Sequence, residues 1–172
     1  LINKNNLQPS NNKPDEKSIN EIEFCASLLD RKQYAEAWIL LNAQQESIPQ
    51  LFNKSLCLIK IEEYALALQF LERALMIAPQ NQNQKIPETS IQNKMQNVQN
   101  EMHSYMNAIT FQYAERFSEI LKASVLRLIV DCHSALGNRN KVLEIGIPLK
   151  SKGYRNVIEA INKIENYRNG NI

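Results

Sequence analysis

The sequence predicts an all-α protein: a row of helical hairpins with a long inserted helix and a further helix capping the C-terminal end. Three observations carry the all-α part of that expectation; the hairpins rest on an internal repeat. Only four glycines and six prolines serve 172 residues, too few for the many tight turns of a sandwich or barrel. The periodic segments space their apolar residues by three and four, as one buried helical face requires, and not by two. Hydrophobic residues make up 44% and charged residues 22%, so the chain lies far from the composition of disorder and those faces have a core to enter.

Residues 1–17 scatter Asn and Lys around Pro9 and Pro14 without periodicity and are expected to form a flexible leader. Ser18 with Glu21, Ser47 with Gln50 and Thr89 with Gln92 have the spacing of reciprocal caps. In such a cap the hydroxyl accepts from the third helical amide and the longer side chain reaches back. Three helices are expected to start there. Pro49 fits the second of them, because its missing N–H would have had no partner in the first turn. That helix is apolar on two sides, Leu51, Ser55 and Leu58 on one and Phe52, Leu56 and Ile59 on the other, so it is either sandwiched or lines a groove. From Tyr64 the positions Ala67, Leu68, Leu71, Ala74 and Leu75 define the buried face of the next helix, with Glu72 and Arg73 opposite.

Residues 79–88, PQNQNQKIPE, are expected to be a polar linker. From Glu88 to Leu136 neither Gly nor Pro interrupts the chain. Ile91, Met95, Val98, Met102, Tyr105 and Ile109 alternate steps of four and three, the pattern of a heptad seam. An inserted helix is expected over 89–122, continuous or broken between Asn107 and Ser124. The last helix, about 154–168, puts Tyr154, Val157, Ile158, Ile161 and Ile164 on one face and Arg155, Glu159, Asn162 and Lys163 on another, as a cap needs; 169–172 is a tail.

An internal repeat emerges when residues 24–41 are set over 54–71 at a shift of 30. Cys25 meets Ser55, Leu28 meets Leu58, Tyr34 meets Tyr64, Ala37 meets Ala67 and Leu41 meets Leu71. Such a hairpin cannot bury its apolar stripe alone and stacks on its neighbours. Residues 48–81, with small Ser55, Ala67 and Ala74, the large Leu71 and the terminating Pro79, resemble a tetratricopeptide repeat. Leu51, Lys54 and Leu58 depart from that family's preferred Trp, Leu and Tyr. Residues 18–47 look like a shorter first repeat. A third, about 123–152, is suggested by LGNRNKV at 136–142, with Pro148 expected to end or kink its second helix. The resemblance implies one TPR-like α-solenoid domain over 18–168.

Little in the sequence speaks for catalysis. The chain has no GxxxxGK, GxGxxG or GxSxG, and His103 and His133 lie 30 residues apart. Asp131, Cys132 and His133 are consecutive, so on a helix they point in different directions and cannot converge on one metal. Cys25, Cys57 and Cys132 form no CxxC pair and are expected to be reduced and buried. A net charge of +2 offers no broad attraction for a polyanion, although residues 137–172 carry 7 basic against 3 acidic groups. No enzyme, cofactor, metal or nucleic-acid partner is expected. Without a run of about 18 apolar residues no membrane span is expected either, and the cytoplasm is the default compartment. The start at Leu1 suggests trimming, so an upstream signal or anchor stays possible.

The resemblance implies a scaffold for protein–protein interaction whose concave surface takes a peptide or helix of another protein. By the repeat register, Phe52, Asn53, Leu56, Ile59 and Lys60 would line it, with Arg127 and Asp131 from the third unit. Some relatives of that family clamp a terminal carboxylate with five polar residues. Here only Asn53 matches, the other positions being Ile22, Ala26, Ser124 and Leu128, so no such clamp is expected. The alternative is an oligomerisation element in which Met95, Val98 and Met102 pair the inserted helix with a second chain as a homodimer. Between the two covers for that stripe, folding back onto Phe52, Leu56 and Ile59 is favoured, because the linker reaches about 33 Å when extended.

Overall fold

A computed structural model describes residues 15–78 and 89–168, and every regular element among them is helical. In order these are α1 (Glu16–Asp30), α2 (Tyr34–Ala43), α3 (Ile48–Lys60), α4 (Tyr64–Ile77), α5 (Ser90–Glu101), a 3-10 turn (Ser104–Met106), α6 (Phe111–Arg116), α7 (Ser118–Ala135), α8 (Arg139–Lys150) and α9 (Arg155–Arg168). The linker at 79–88, most of the leader and the tail lie outside the described residues.

Three helical hairpins, α1–α2, α3–α4 and α7–α8, share one turn. Each first helix ends in a left-handed residue, Lys32 at φ 62°, Glu62 at 63° and Gly137 at 73°. In each, the next amide returns to a carbonyl five residues back: Gln33 to Leu28 at 2.9 Å, Glu63 to Leu58 at 3.0 Å and Asn138 to His133 at 2.9 Å. This is the Schellman arrangement, which satisfies carbonyls the helix end would leave orphaned. The 30-residue repeat of the sequence therefore recurs as a repeat of backbone geometry. Helix α4 packs directly on α7, so the third hairpin sits beside the second, and the insertion between them packs back on the row through the 3-10 turn and α6.

Three apolar clusters follow the row. Cys25, Leu28, Ala37, Leu41 and Cys57 join the first hairpin to α3. Phe52, Leu56, Leu71, Val125 and Leu128 form the centre between α3, α4 and α7. Val130, Val142, Val157 and Ile161 join α7 and α8 to α9. Buried side chains of this size contribute about 1.5–3 kcal/mol each. Gly146 lets α8 and α9 approach closely, since a Cβ there would stand 3.3 Å from Ile161 Cδ1. Pro148 does not end α8, which runs two residues further. It lies in the last turn, where its ring and missing N–H disturb only one intrahelical bond.

Ser47 and Thr89 cap α3 and α5 as expected, accepting from the amides of Gln50 at 3.3 Å and Gln92 at 3.2 Å. Ser18 does not cap α1. Asp15 does, accepting from the Ser18 amide at 2.8 Å, so the helix begins at Glu16, inside the segment expected to be leader. A carboxylate at the N-terminus is as good an acceptor as a hydroxyl and also complements the helix dipole. The helix expected over 89–122 is not one helix. It breaks first at Met102–His103, where His103 is left-handed at φ 54°, earlier than the Asn107–Ser124 window. Nor does its stripe fold back: Ile91, Met95, Val98 and Met102 are 65%, 63%, 54% and 72% exposed. The seam's last two members, Tyr105 and Ile109, are the ones that enter the core.

Candidate functional site

The surface predicted to receive a partner is already filled. Phe52 and Asn53 are fully buried and Leu56 nearly so, while Ile59 is half-buried and Lys60 exposed. The stretch from Ser104 to Thr110 lies over them. Asn107 and Thr110 are extended, and between them Asn53 grips the main chain of Ile109 on both sides. Its Nδ2 donates to the Ile109 carbonyl at 2.8 Å and its Oδ1 accepts from the Ile109 amide at 2.9 Å. A buried carboxamide offers one donor and one acceptor side by side, which is what an extended peptide unit requires. Phe52, Asn53 and Leu56 thus hold a segment of their own chain and present no surface to a second one.

Arg127 is buried and Asp131 half-buried, and Arg127 also borders an adjacent cleft. The Arg127 guanidinium lies 3.8 Å from the ring centroid of Tyr105 and 4.7 Å from that of Tyr154, a cation held between two aromatic faces. Its Nε donates to Asn156 Oδ1 and its Nη1 to Asn100 Oδ1, both at 2.8 Å. Asn156 in turn donates to Asp131 Oδ1 at 2.8 Å, and Tyr105 donates its hydroxyl proton to Asp131 Oδ2 at 2.6 Å. Burial holds the Asp131 carboxyl above the usual carboxylate range, opposed by the bonds from Asn156 and Tyr105. Burial also lowers the Arg127 guanidinium. These residues fasten the end of α5, the 3-10 turn, α7 and α9 to one another, so their role is positional.

Beside this network opens a cleft of about 890 Å³. One wall is α5, the floor is α7 through Lys122, Ala123 and Leu126, and the far side is the α8–α9 turn with Lys152 and Tyr154. Asn93, Gln96, Asn97 and Asn100 all border it. They fall at i, i+3, i+4 and i+7, one helical face, directly opposite the exposed stripe of Ile91, Met95, Val98 and Met102. That periodicity of amides was present in the sequence and is the signal for this wall. The exposed ammonium groups of Lys122 and Lys152 give the cleft positive charge, with Glu119 on its margin.

No group of three or more His, Cys, Asp or Glu side chains is arranged to hold a metal ion among the described residues. Burial pushes the thiols of Cys25 and Cys57 up to about 11 and that of Cys132 to about 12, so they stay protonated at neutral pH. No described helix is long and apolar enough to cross a membrane. No protein-family model matches the chain, and neither does any curated protein or solved structure.

Proposed function

We propose that the chain is a non-enzymatic scaffold for protein–protein interaction, built from TPR-like hairpins, whose cleft between α5, α7 and the α8–α9 turn takes an extended peptide of a partner protein. The observation that carries this reading is the wall of α5 amides, Asn93, Gln96, Asn97, Gln99 and Asn100, along an open cleft. Amides supply paired donors and acceptors with no net charge, which suits the backbone of a peptide more than an anion or an apolar cofactor. Asn53 uses the same chemistry on Ile109 within the chain. Lys122 and Lys152 would favour acidic side chains on the bound segment through long-range attraction. Supporting the repeat assignment are the three matching turns and the small residues Ser55, Ala67 and Ala74, all buried where paired helices cross.

The reading is tested by selecting displayed peptides against the purified chain and measuring their binding to wild type and to an Asn93→Ala, Asn97→Ala double variant. Both residues are exposed, so the fold should survive the change. Selected peptides should bind with roughly micromolar affinity and weaken about tenfold or more on the double variant. Peptides that bind both proteins equally, or no selected peptide at all, would sink the proposal.

A further inference from the structure

The stripe on α5 faces away from the cleft, so its occupant is a separate question from the peptide. Ile91, Met95, Val98 and Met102 are each more than half exposed, on a helix whose main packing among the described residues is on the 3-10 turn. Turning the stripe inward would require rotating α5 by half a turn, which would break the Asn100–Arg127 bond and carry the amides away from the cleft. Among the described residues nothing covers it.

The charges on α5 say what would. Lys94 and Glu101 are its only ionisable residues, both on one flank of the stripe, while Gln92 and Gln99 lie on the other, Gln99 also at the rim of the cleft. In heptad terms Met95 and Met102 are a positions, Ile91 and Val98 d positions, Lys94 and Glu101 g positions, and Gln92 and Gln99 e positions. We propose that α5 pairs antiparallel with α5 of a second copy of this chain, about a two-fold axis between Gln96 and Asn97. In that register Met95 meets Val98 and Ile91 meets Met102 of the other copy, so every member of the stripe is covered. The same register sets Lys94 against Glu101 of the other copy, twice by symmetry, and Gln92 against Gln99. A parallel pair would set Lys94 against Gln99 and leave its charge unmatched. One self-complementary surface thus satisfies the apolar, charged and amide positions together, as an isologous interface demands. Neither Lys94 nor Glu101 has a salt bridge among the described residues. The interface is one short helix per copy, which sets the expected strength at a roughly micromolar dissociation constant.

Sedimentation equilibrium of the full chain over a concentration series tests this. Wild type should move from monomer to dimer with rising concentration. Lys94→Glu and Glu101→Lys should each weaken the dimer about tenfold or more by opposing like charges, and an equimolar mixture of the two should regain a heterodimer. The Lys94→Glu, Glu101→Lys double variant should dimerise like wild type. Because these exposed side chains leave the core untouched, a folded circular dichroism spectrum is expected throughout. A wild type that stays monomeric at about 100-fold the expected dissociation constant would overturn the proposal. So would a dimer indifferent to both charge reversals, or one in which the mixture fails to recover.

Discussion

Asn53 concentrates much of the tertiary specificity in a single side chain. It is fully buried, and its two bonds to Ile109 are what hold a non-helical stretch of backbone inside the core. Asn53→Ala leaves a buried N–H and a buried C=O without partners, at about 1–3 kcal/mol each, so urea unfolding should show a loss of about 2–4 kcal/mol. A loss below about 0.5 kcal/mol, the size of an ordinary surface change, would mean that the segment is not held this way. His133 makes a second residue-scale case. Burial lowers its ring below the usual 6.5, with Glu72 and Glu144 opposing and Lys141 adding to the effect. Asn138 Nδ2 lies 3.2 Å from His133 Nδ1, and an amide nitrogen can only donate, so the ring accepts in its neutral form. The folded state therefore prefers the unprotonated ring. The stability this provides is present above the unfolded value near 6.5 and is lost as pH falls through the lowered folded value. Stability should drop as pH falls below about 6.5 and through the lowered folded value, and His133→Gln should flatten that part of the profile. An identical profile in the variant would assign the pH dependence to other groups.

Among the elements, the hairpin turns carry the repeat. Lys32 and Glu62 occupy a left-handed position that costs an L-residue about 1–2 kcal/mol, whereas the third turn has Gly137 there with open space around it. Glu62→Gly should accordingly raise stability by about 0.5–1 kcal/mol after the entropy glycine adds to the unfolded chain, and Gly137→Ala should lower it by a similar amount. A destabilised Glu62→Gly would show that the turn is held by the Glu62 side chain and not by its backbone geometry. These turns were legible in the sequence because Tyr34 and Tyr64 mark the same step in a 30-residue repeat, and the caps at Ser47 and Thr89 because hydroxyl and amide stand at the right spacing. The start of α1 was missed because Asp15 and Ser18 both satisfy capping chemistry and the further one prevailed. The break at His103 was hidden because Met102, Tyr105 and Ile109 keep heptad spacing through a chain that turns. A hydrophobic pattern records which residues are apolar, not whether the backbone between them stays helical. Arg127 meets Asn100 and Asn156 at separations of 27 and 29 residues, so that network has no local signature at all.

For the molecule as a whole, the arrangement divides into a cooperative row and an attached arm. Helices α3, α4 and α7 share the central cluster, with α4 packed on both of the others, so their amides should open only with global unfolding. Helix α5 has no buried residue, rests on the 3-10 turn and is held across the cleft by the Asn100–Arg127 bond. Twelve residues of this composition form a marginal helix without tertiary support. Hydrogen exchange followed by mass spectrometry should therefore find the α5 amides exchanging at least about a hundredfold faster than those of α7 at low protein concentration. Pairing of α5 between copies adds protection that depends on concentration, so raising the protein from below to above its dissociation constant should slow exchange in α5 while leaving α7 unchanged. Exchange of α5 and α7 at one common rate would place the arm inside the cooperative core. A fast α5 that ignores concentration would keep the division between row and arm while removing the second copy as the cover of its apolar face.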